Sequence, residues 1–498
     1  MLLSIVLALL LPFQSEINLI SAQTVALPVL RVSFNGKFKN DMPEYLNGMM
    51  QLTDVDGSVI ELPAKFKSRG ATASNYMMKP SFNMKLRTVD YSEEVDSTLL
   101  GIRSCSSWIL DGMAIDRICM RNRVSFDIWN EFSRLPYETK FDGRYGTTGR
   151  FVEVYINDNY YGIYCLNDRI NRKLLDLKKT KEEEDGSMKI RGELYKSGTS
   201  DISPQEKPSY NKDSTACVVS WHNAWELTYP DDYGCLEAWE PLQDAFANGK
   251  NAAYVKKYFY LENLADYQIL IMALSIGDNW GNKNHYLSIR NINKDIDDPD
   301  PAEADRRRFV LIPWDLDTSL GGNYNGGYYD GKYSAWAVKS ISGSALYPIS
   351  AVSGDSEYKA ILRKRWIEGR EGSFSVESVK AKLERYRDLF IESGAWQRRV
   401  TYFDNRTGSK PKYVNDLARE IELIEAWYED RFREMDAYFG IASGVDLVTT
   451  PDSQEKARYD APFYDLMGRS YNGIPGSGIY IYNGKKVRLE NCEVKIEN

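Results

Sequence analysis

The stretch that most restricts this chain spans residues 276–321. An apolar helical run ends at Ile276 and gives way at once to a polar turn, Gly277-Asp278-Asn279-Trp280-Gly281-Asn282-Lys283-Asn284. Residues 286–289 and 309–312 then read as two short strands around a charged loop, and Pro313-Trp314-Asp315-Leu316-Asp317 follows the second. Asp278 therefore falls on a helix-to-strand turn, with Asp315 and Asp317 just past the end of a strand. Carboxylates held on turns beside a hydrophobic sheet bind a divalent cation or handle a proton. In that arrangement Asp278 is the base, Asn284 a neutral oxygen ligand and Asp315 a charged one. Asp317 is either a second ligand or a cap for the residues after it. A solvated hairpin with capping carboxylates gives the same spacing.

Composition narrows the chemistry further. There are two histidines, His222 and His285, and neither has ligand-like neighbours, so a Ser-His-Asp triad or a histidine-rich zinc site is disfavoured. Six cysteines contain no C-x-x-C pair, which argues against zinc ribbons and thioredoxin-like redox chemistry. Any reaction must run on carboxylates, Lys and Arg. A net charge of -8 argues against a general nucleic-acid or anionic-membrane surface. The 34 Tyr and 11 Trp suit a surface facing sugars or peptides, or a large α+β core. Residues 1–13 are almost wholly apolar, too short to span a membrane, and fit a signal-peptide core cleaved after Ala22, although no Lys or Arg precedes it. No later segment reaches transmembrane length. The expectation is export to the periplasm, cell surface or medium, with Cys217 and Cys235 as the disulfide pair.

Along the chain, strand patterns dominate residues 28–175. In residues 81–86, Ser81, Asn83 and Lys85 share one face while Phe82, Met84 and Leu86 share the other, so Lys85 points to solvent or into a cleft. Trp108-Ile109-Leu110 reads as a strand followed by a helix from about Asp116, and residues 151–166 form the clearest hairpin. Lys178 to Gly186 reads as a solvated loop, and residues 196–235 as an insertion. Helical stripes dominate residues 176–440: Leu264, Tyr267, Ile271 and Leu274 in one helix, Val379, Leu383, Tyr386 and Phe390 in another, Leu417, Ile421, Ile424, Tyr428 and Met435 in a third. Residues 441–498 form a linker and a short β-like tail. The expected class is α+β, with two lobes and a cleft between them.

Taken in order, these pieces resemble the spore-coat protein H kinase family (CotH), atypical secreted or coat-associated protein kinases, over about residues 66–438. They are Arg69-Gly70, Lys79-Pro80 and Lys85; Leu99-Leu100-Gly101; Trp108, Asp116 and Arg121-Asn122; Val154-Tyr155-Ile156-Asn157 and Tyr161-Gly162-Ile163-Tyr164; Asp278 with Asn284; and Pro313 to Asp317. The resemblance implies a divergent two-lobed protein-kinase-like fold. It also implies ATP as co-substrate, Mg²⁺ or Mn²⁺, and phosphoryl transfer to Ser or other hydroxyls of secreted or surface proteins. Asp278 then corresponds to the catalytic-loop Asp and Asp315 to the metal-binding Asp, with Asn284 and Asp317 completing the metal set and Asn282 competing with Asn284. Lys85 takes the place of the strand lysine that grips phosphates. Lys79 is its rival, although Pro80 holds it extended at a loop exit. Arg69 either grips phosphate through its forked guanidinium or makes a structural ion pair. Asp168 stands, one methylene shorter, where the family commonly has Glu. The alternatives are a catalytically silent kinase-like surface protein that binds glycan or protein, and a metal-dependent phosphohydrolase. The stretch from Tyr464 to Lys486 resembles the C-terminal sorting tails of certain secreted bacterial proteins.

Overall fold

The computed structural model describes residues 25–34, 42–70, 79–197, 225–230, 238–279, 284–294, 307–323, 347–407 and 410–441, together with five strands between residues 463 and 496. The expected signal peptide, His222, Cys217, Cys235 and Asn282 lie outside the described residues. Two compact units divide the chain at residue 429, within its last helix.

The first part of the larger unit is a barrel. Its strands are β1 (Val29–Phe34), β2 (Leu46–Thr53), β3 (Val59–Arg69), β4 (Ser81–Leu86), β5 (Ser107–Asp111), β6 (Gly149–Ile156) and β7 (Asn159–Asp168). They follow the order β1-β2-β3-β4-β5-β7-β6, and β1 closes the ring by pairing in parallel with β6. Two-residue alternation sends Ala64, Phe66, Phe82, Met84 and Leu86 into the barrel interior beside Trp108 and Val154, and leaves Lys85 on the outer face. The tight β6–β7 turn needs left-handed backbone at Asn157 (φ 45°) and Asp158 (φ 62°), a conformation Asn and Asp tolerate best after Gly.

Helix α1 (Arg121–Phe132) crosses between β5 and β6. It begins five residues later than the sequence pattern suggests, because Asp116 does not cap a first turn. Its carboxylate instead accepts from the N–H groups of Ile118 and Arg121 at 3.2 and 2.8 Å and pairs with the Arg121 guanidinium at 2.6 Å. Residues 112–120 thus form an irregular, buried link.

The second part carries two small strands, β8 (Lys181–Glu182) in the charged stretch expected to be a loop and β9 (Met188–Lys189) just past it. A four-stranded antiparallel sheet follows: β10 (Glu193–Ser197), β11 (Trp225–Tyr229), β12 (His285–Ile289) and β13 (Phe309–Pro313), in the order β11-β10-β12-β13. The stretch read as an insertion therefore supplies an edge strand, and Lys196 belongs to the sheet. Between β11 and β12 run α2 (Glu240–Asn248), α3 (Ala252–Tyr258) and α4 (Leu261–Leu274). Every residue of α4 from Asn263 onward is buried, which makes it the central helix, packed on β13 and on α6. After β13 come α5 (Tyr347–Val352), α6 (Ser356–Arg370), α7 (Val376–Glu392), α8 (Ala395–Asp404) and α9 (Leu417–Tyr438). A strand-rich barrel followed by a helix-rich region makes a two-part α+β architecture. No helix among the described residues is long and apolar enough to cross a membrane.

The smaller unit holds β14 (Phe463–Asp465), β15 (Ser470–Tyr471), β16 (Gly478–Tyr482), β17 (Lys485–Glu490) and β18 (Glu493–Ile496) in one antiparallel sheet, ordered β15-β14-β16-β17-β18.

Candidate active site

The site is built on the turn after α4 and the loop after β13. Ser275 ends α4 in the left-handed region (φ 51°), its N–H returning to the carbonyls of Ile271 and Met272. The turn is then stitched to the later loop: Asp278 N–H donates to Thr318 Oγ1 at 3.2 Å, and Leu320 N–H to the Leu274 carbonyl at 2.8 Å. Asn279, fully buried, donates from Nδ2 to the carbonyls of Asn284 (2.8 Å) and Trp314 (2.6 Å), and the Trp314 N–H reaches the Asn284 carbonyl at 2.9 Å. One side chain thus clamps the start of β12 to the end of β13. Asn284 and Asp315 both sit at positive φ (63° and 54°), which Asn and Asp accept at lower cost than other side-chain-bearing residues.

Asn284 Nδ2 donates to Asp278 Oδ2 at 3.0 Å, which fixes the carboxylate and leaves the amide oxygen as the remaining acceptor. Asp315 and Asp317 are different. Both are partly buried, and among the described residues no donor reaches either carboxylate. Burial pushes the Asp315 carboxyl above the usual range; Arg69 pulls it back, while Asp111 and Asp278 push it further. Burial also holds Asp317 well above its ordinary value, aided by Asp315, Asp111, Asp116 and Asp278. Asp111 and Asp278 thus lie within electrostatic reach of both Asp315 and Asp317.

Asp111, at the end of β5, was not singled out from the sequence. Its carboxylate accepts from Met113 N–H at 3.0 Å and from Asn122 Nδ2 at 3.2 Å, while Asn122 Oδ1 accepts from Leu316 N–H at 3.0 Å. Asn122 therefore ties the barrel to the loop that carries Asp315 and Asp317. The available signals were an acidic residue closing an apolar strand and the Asn beside Arg121. Asn279 lay in the polar turn without any pattern to mark it.

Of the residues expected at the site, Asp278, Asn284, Asp315, Asp317 and Arg69 are brought together. The Arg69 guanidinium lies 5.3 Å over the Trp314 ring and has no carboxylate partner among the described residues. The structural ion pair considered for it is not formed there. Arg121 does make one, with Asp116.

Three other expected residues lie elsewhere. Lys79 is fully buried, its ammonium on the Ile163 carbonyl and 4.8 Å over the Tyr164 ring, and burial lowers its pKa to about 7. With its ammonium on that carbonyl and no exposed surface, Lys79 is not open to a ligand in the cleft. Asp168 is 1% exposed, with Oδ2 held by Arg103 Nε at 2.5 Å and Oδ1 by Thr148 N–H at 2.7 Å. Lys85 lines a polar cleft with Tyr45, Lys67, Arg169, Glu226 and Tyr229, and pairs with Glu94 at 3.4 Å. His285, just after Asn284, is buried with its ring against Trp225 and Tyr267.

Residues 66–435 match the family model described as CotH kinase protein. The chain belongs to the CotH family. No curated protein matches it. The CotH segment starts in β3 and ends in α9, so it contains all four of these carboxylates, while β1, β2 and the C-terminal sheet lie outside it. Among the described residues of this CotH protein, no three His, Cys, Asp or Glu side chains form a ready-made metal cage.

Proposed function

We propose that this CotH-family chain is an exported, kinase-like enzyme that transfers a phosphoryl group from ATP to hydroxyl side chains of secreted or surface proteins. The observation that carries this reading is the pair Asp315 and Asp317: two partly buried carboxylates without donors among the described residues, within electrostatic reach of other carboxylates and, for Asp315, of Arg69, which has no carboxylate partner there. Like charges are held together at such cost when a cation and an anionic substrate share the site. The donor set fits magnesium or manganese, which takes one or two carboxylates and completes its shell with substrate phosphates and water. Asp315, Asp317 and the Asn284 amide oxygen would hold the ion. When bound it neutralises charge on the phosphate oxygens.

The chain's own residues account for the rest. Asn284 holds Asp278 in place, and Asp278 accepts the proton of the attacking hydroxyl. As the acceptor oxygen bonds to the γ-phosphorus, the bond from that phosphorus to the bridging oxygen breaks and ADP leaves. Arg69 grips non-bridging oxygens, supported by the Trp314 face.

The test is transfer of labelled γ-phosphate to the protein itself or to a Ser-rich peptide, with Mg²⁺ and with Mn²⁺. Transfer with either metal is expected. No transfer over a broad acceptor panel sinks the kinase reading; free phosphate without an acceptor would point to a hydrolase, and a thermal shift with sugars but none with nucleotide to a binding protein.

A further inference from the structure

The phosphates of the proposed substrate need cations, and the two lysines expected to supply them have other partners, Lys79 the Ile163 carbonyl and Lys85 the Glu94 carboxylate. A different set of cations is at hand. Lys196 in β10 lies directly opposite Tyr286 in β12 and Glu226 in β11, so these three side chains share one face of the four-stranded sheet. Tyr286 is fully buried, its ring edge against Trp314 at 5.5 Å, and the charges that act on its hydroxyl are Arg169, Arg69, Glu226 and Asp315. Arg69 lies over the other part of the same Trp314. Arg169, just past the end of β7, lines the adjoining cleft with Glu226 and Lys85.

Arg69 and Lys196 thus lie within electrostatic reach of Asp315, and Arg169 within reach of Lys196. Two of them, Arg69 and Arg169, are half-buried and have no carboxylate partner among the described residues. Lys196 has only Glu226, at 4.0 Å, and that side chain is 63% exposed. Nearby cations in a partly dehydrated groove repel one another, and a multivalent anion is the ligand that offsets this.

We infer that Lys196 and Arg169 join Arg69 to form a polyphosphate cradle, which receives the phosphate chain of a nucleoside triphosphate and delivers its end to the carboxylates. The phosphoryl-transfer reading supplies only the identity of the nucleotide; the cradle itself rests on the arrangement of the cations. Depression of the Lys196 pKa, caused chiefly by burial, agrees with an ammonium lacking a close counter-ion.

The experiment titrates the full chain and its Lys196→Met, Arg169→Gln and Lys85→Met variants with ATP, with adenosine and with inorganic tripolyphosphate, following thermal stabilisation. A lost charge-assisted contact should weaken ATP and tripolyphosphate by about 10-fold or more in Lys196→Met and Arg169→Gln. Adenosine binding should stay as in the unmodified chain, the ligand-free melting temperature should not fall, and Lys85→Met, whose ammonium is paired with Glu94, should bind all three normally. Wild-type affinity for tripolyphosphate in Lys196→Met, or an equal loss in Lys85→Met, overturns the cradle even if ATP is a substrate. Tripolyphosphate binding that depends on Lys196 and Arg169, without ATP binding, leaves the cradle standing and removes the kinase reading.

Discussion

Asp278 and Asp315 sit close enough to feel each other's charge, yet their surroundings assign them different work. Asp278 is held by a donor and has no ligand duty to lose. Asp315 has no donor among the described residues and lies within reach of the Arg69 and Lys196 charges. Asp278→Asn should therefore keep the metal-dependent stabilisation by ATP while slowing transfer by ~10²–10⁴-fold, as expected for a lost general base. Asp315→Asn should lose the stabilisation and the turnover together. Thermal-shift titration alongside single-turnover transfer separates them. Equal full activity in both variants, or activity that merely follows the folded fraction in both, would remove the assignment. These residues were legible in the sequence because each lies on a turn within a few residues of an apolar strand. Asp111 and Lys196 were not, because their value comes from what faces them across strands far away in sequence. Lys79 misled for the opposite reason: β4 begins at Ser81, and nothing local says which way the chain turns before Pro80.

Elements reach the site through a few buried polar joints. Helix α1 is stitched to the loop after β13 by Asn122 and by Ser125 Oγ against Ser319 Oγ at 2.8 Å. At its other end, Asp266 of α4 accepts from Arg365 of α6 at 2.6 Å, and also binds Ser133 just past α1 at 2.5 Å. Arg365 stacks 4.5 Å over Phe132 of α1. Three helices thus meet on one ion pair. Burial raises the Asp266 carboxyl to about 6, with Arg365 opposing. Asp266→Ala removes the acceptor shared by Arg365 and Ser133 while Glu368 and Glu262 still pair with the guanidinium, and should destabilise the fold by about 1–3 kcal/mol, read by urea melts. A loss within a few tenths of a kcal/mol would show that the joint carries no weight. The helices themselves could be read from their 3.6-residue stripes. Their joints could not, since Asp266 and Ser133 carry no periodic mark, and the late start of α1 turned on a carboxylate that folded back instead of capping.

At the scale of the molecule, the raised carboxyls of Asp315, Asp317 and Asp266 mean that these three groups hold more protons in the folded state than in the unfolded chain. The sign follows: stability from these groups is greatest below an unfolded carboxylate pKa of about 4 and falls as pH rises through the folded values. Asp317→Asn should therefore match the unmodified protein in melting temperature near pH 4 and exceed it increasingly toward pH 7 in the presence of chelator, and added Mg²⁺ should narrow the gap. A variant that melts lower across the whole range would contradict the charge repulsion inferred here. The division into a strand-rich and a helix-rich part was readable from the change of period along the chain, whereas ring closure by a parallel β1–β6 pair was not, because parallel partners leave no turn signal between them.

That closure has a kinetic side. The Phe34 N–H finds its acceptor, Asn157 Oδ1, 123 residues further along, and β1 has only β2 beside it until β6 exists. A nascent chain that ends before β6 holds an open sheet with two bare edges, each a template for pairing with another chain. Long-range pairing of this kind is slow, because the loop entropy is lost before the contacts form. The strand made first waits for the sixth, and the ring closes only when β7 joins β5 to β6, so the hazard of misassembly is concentrated in the interval before the seventh strand is made.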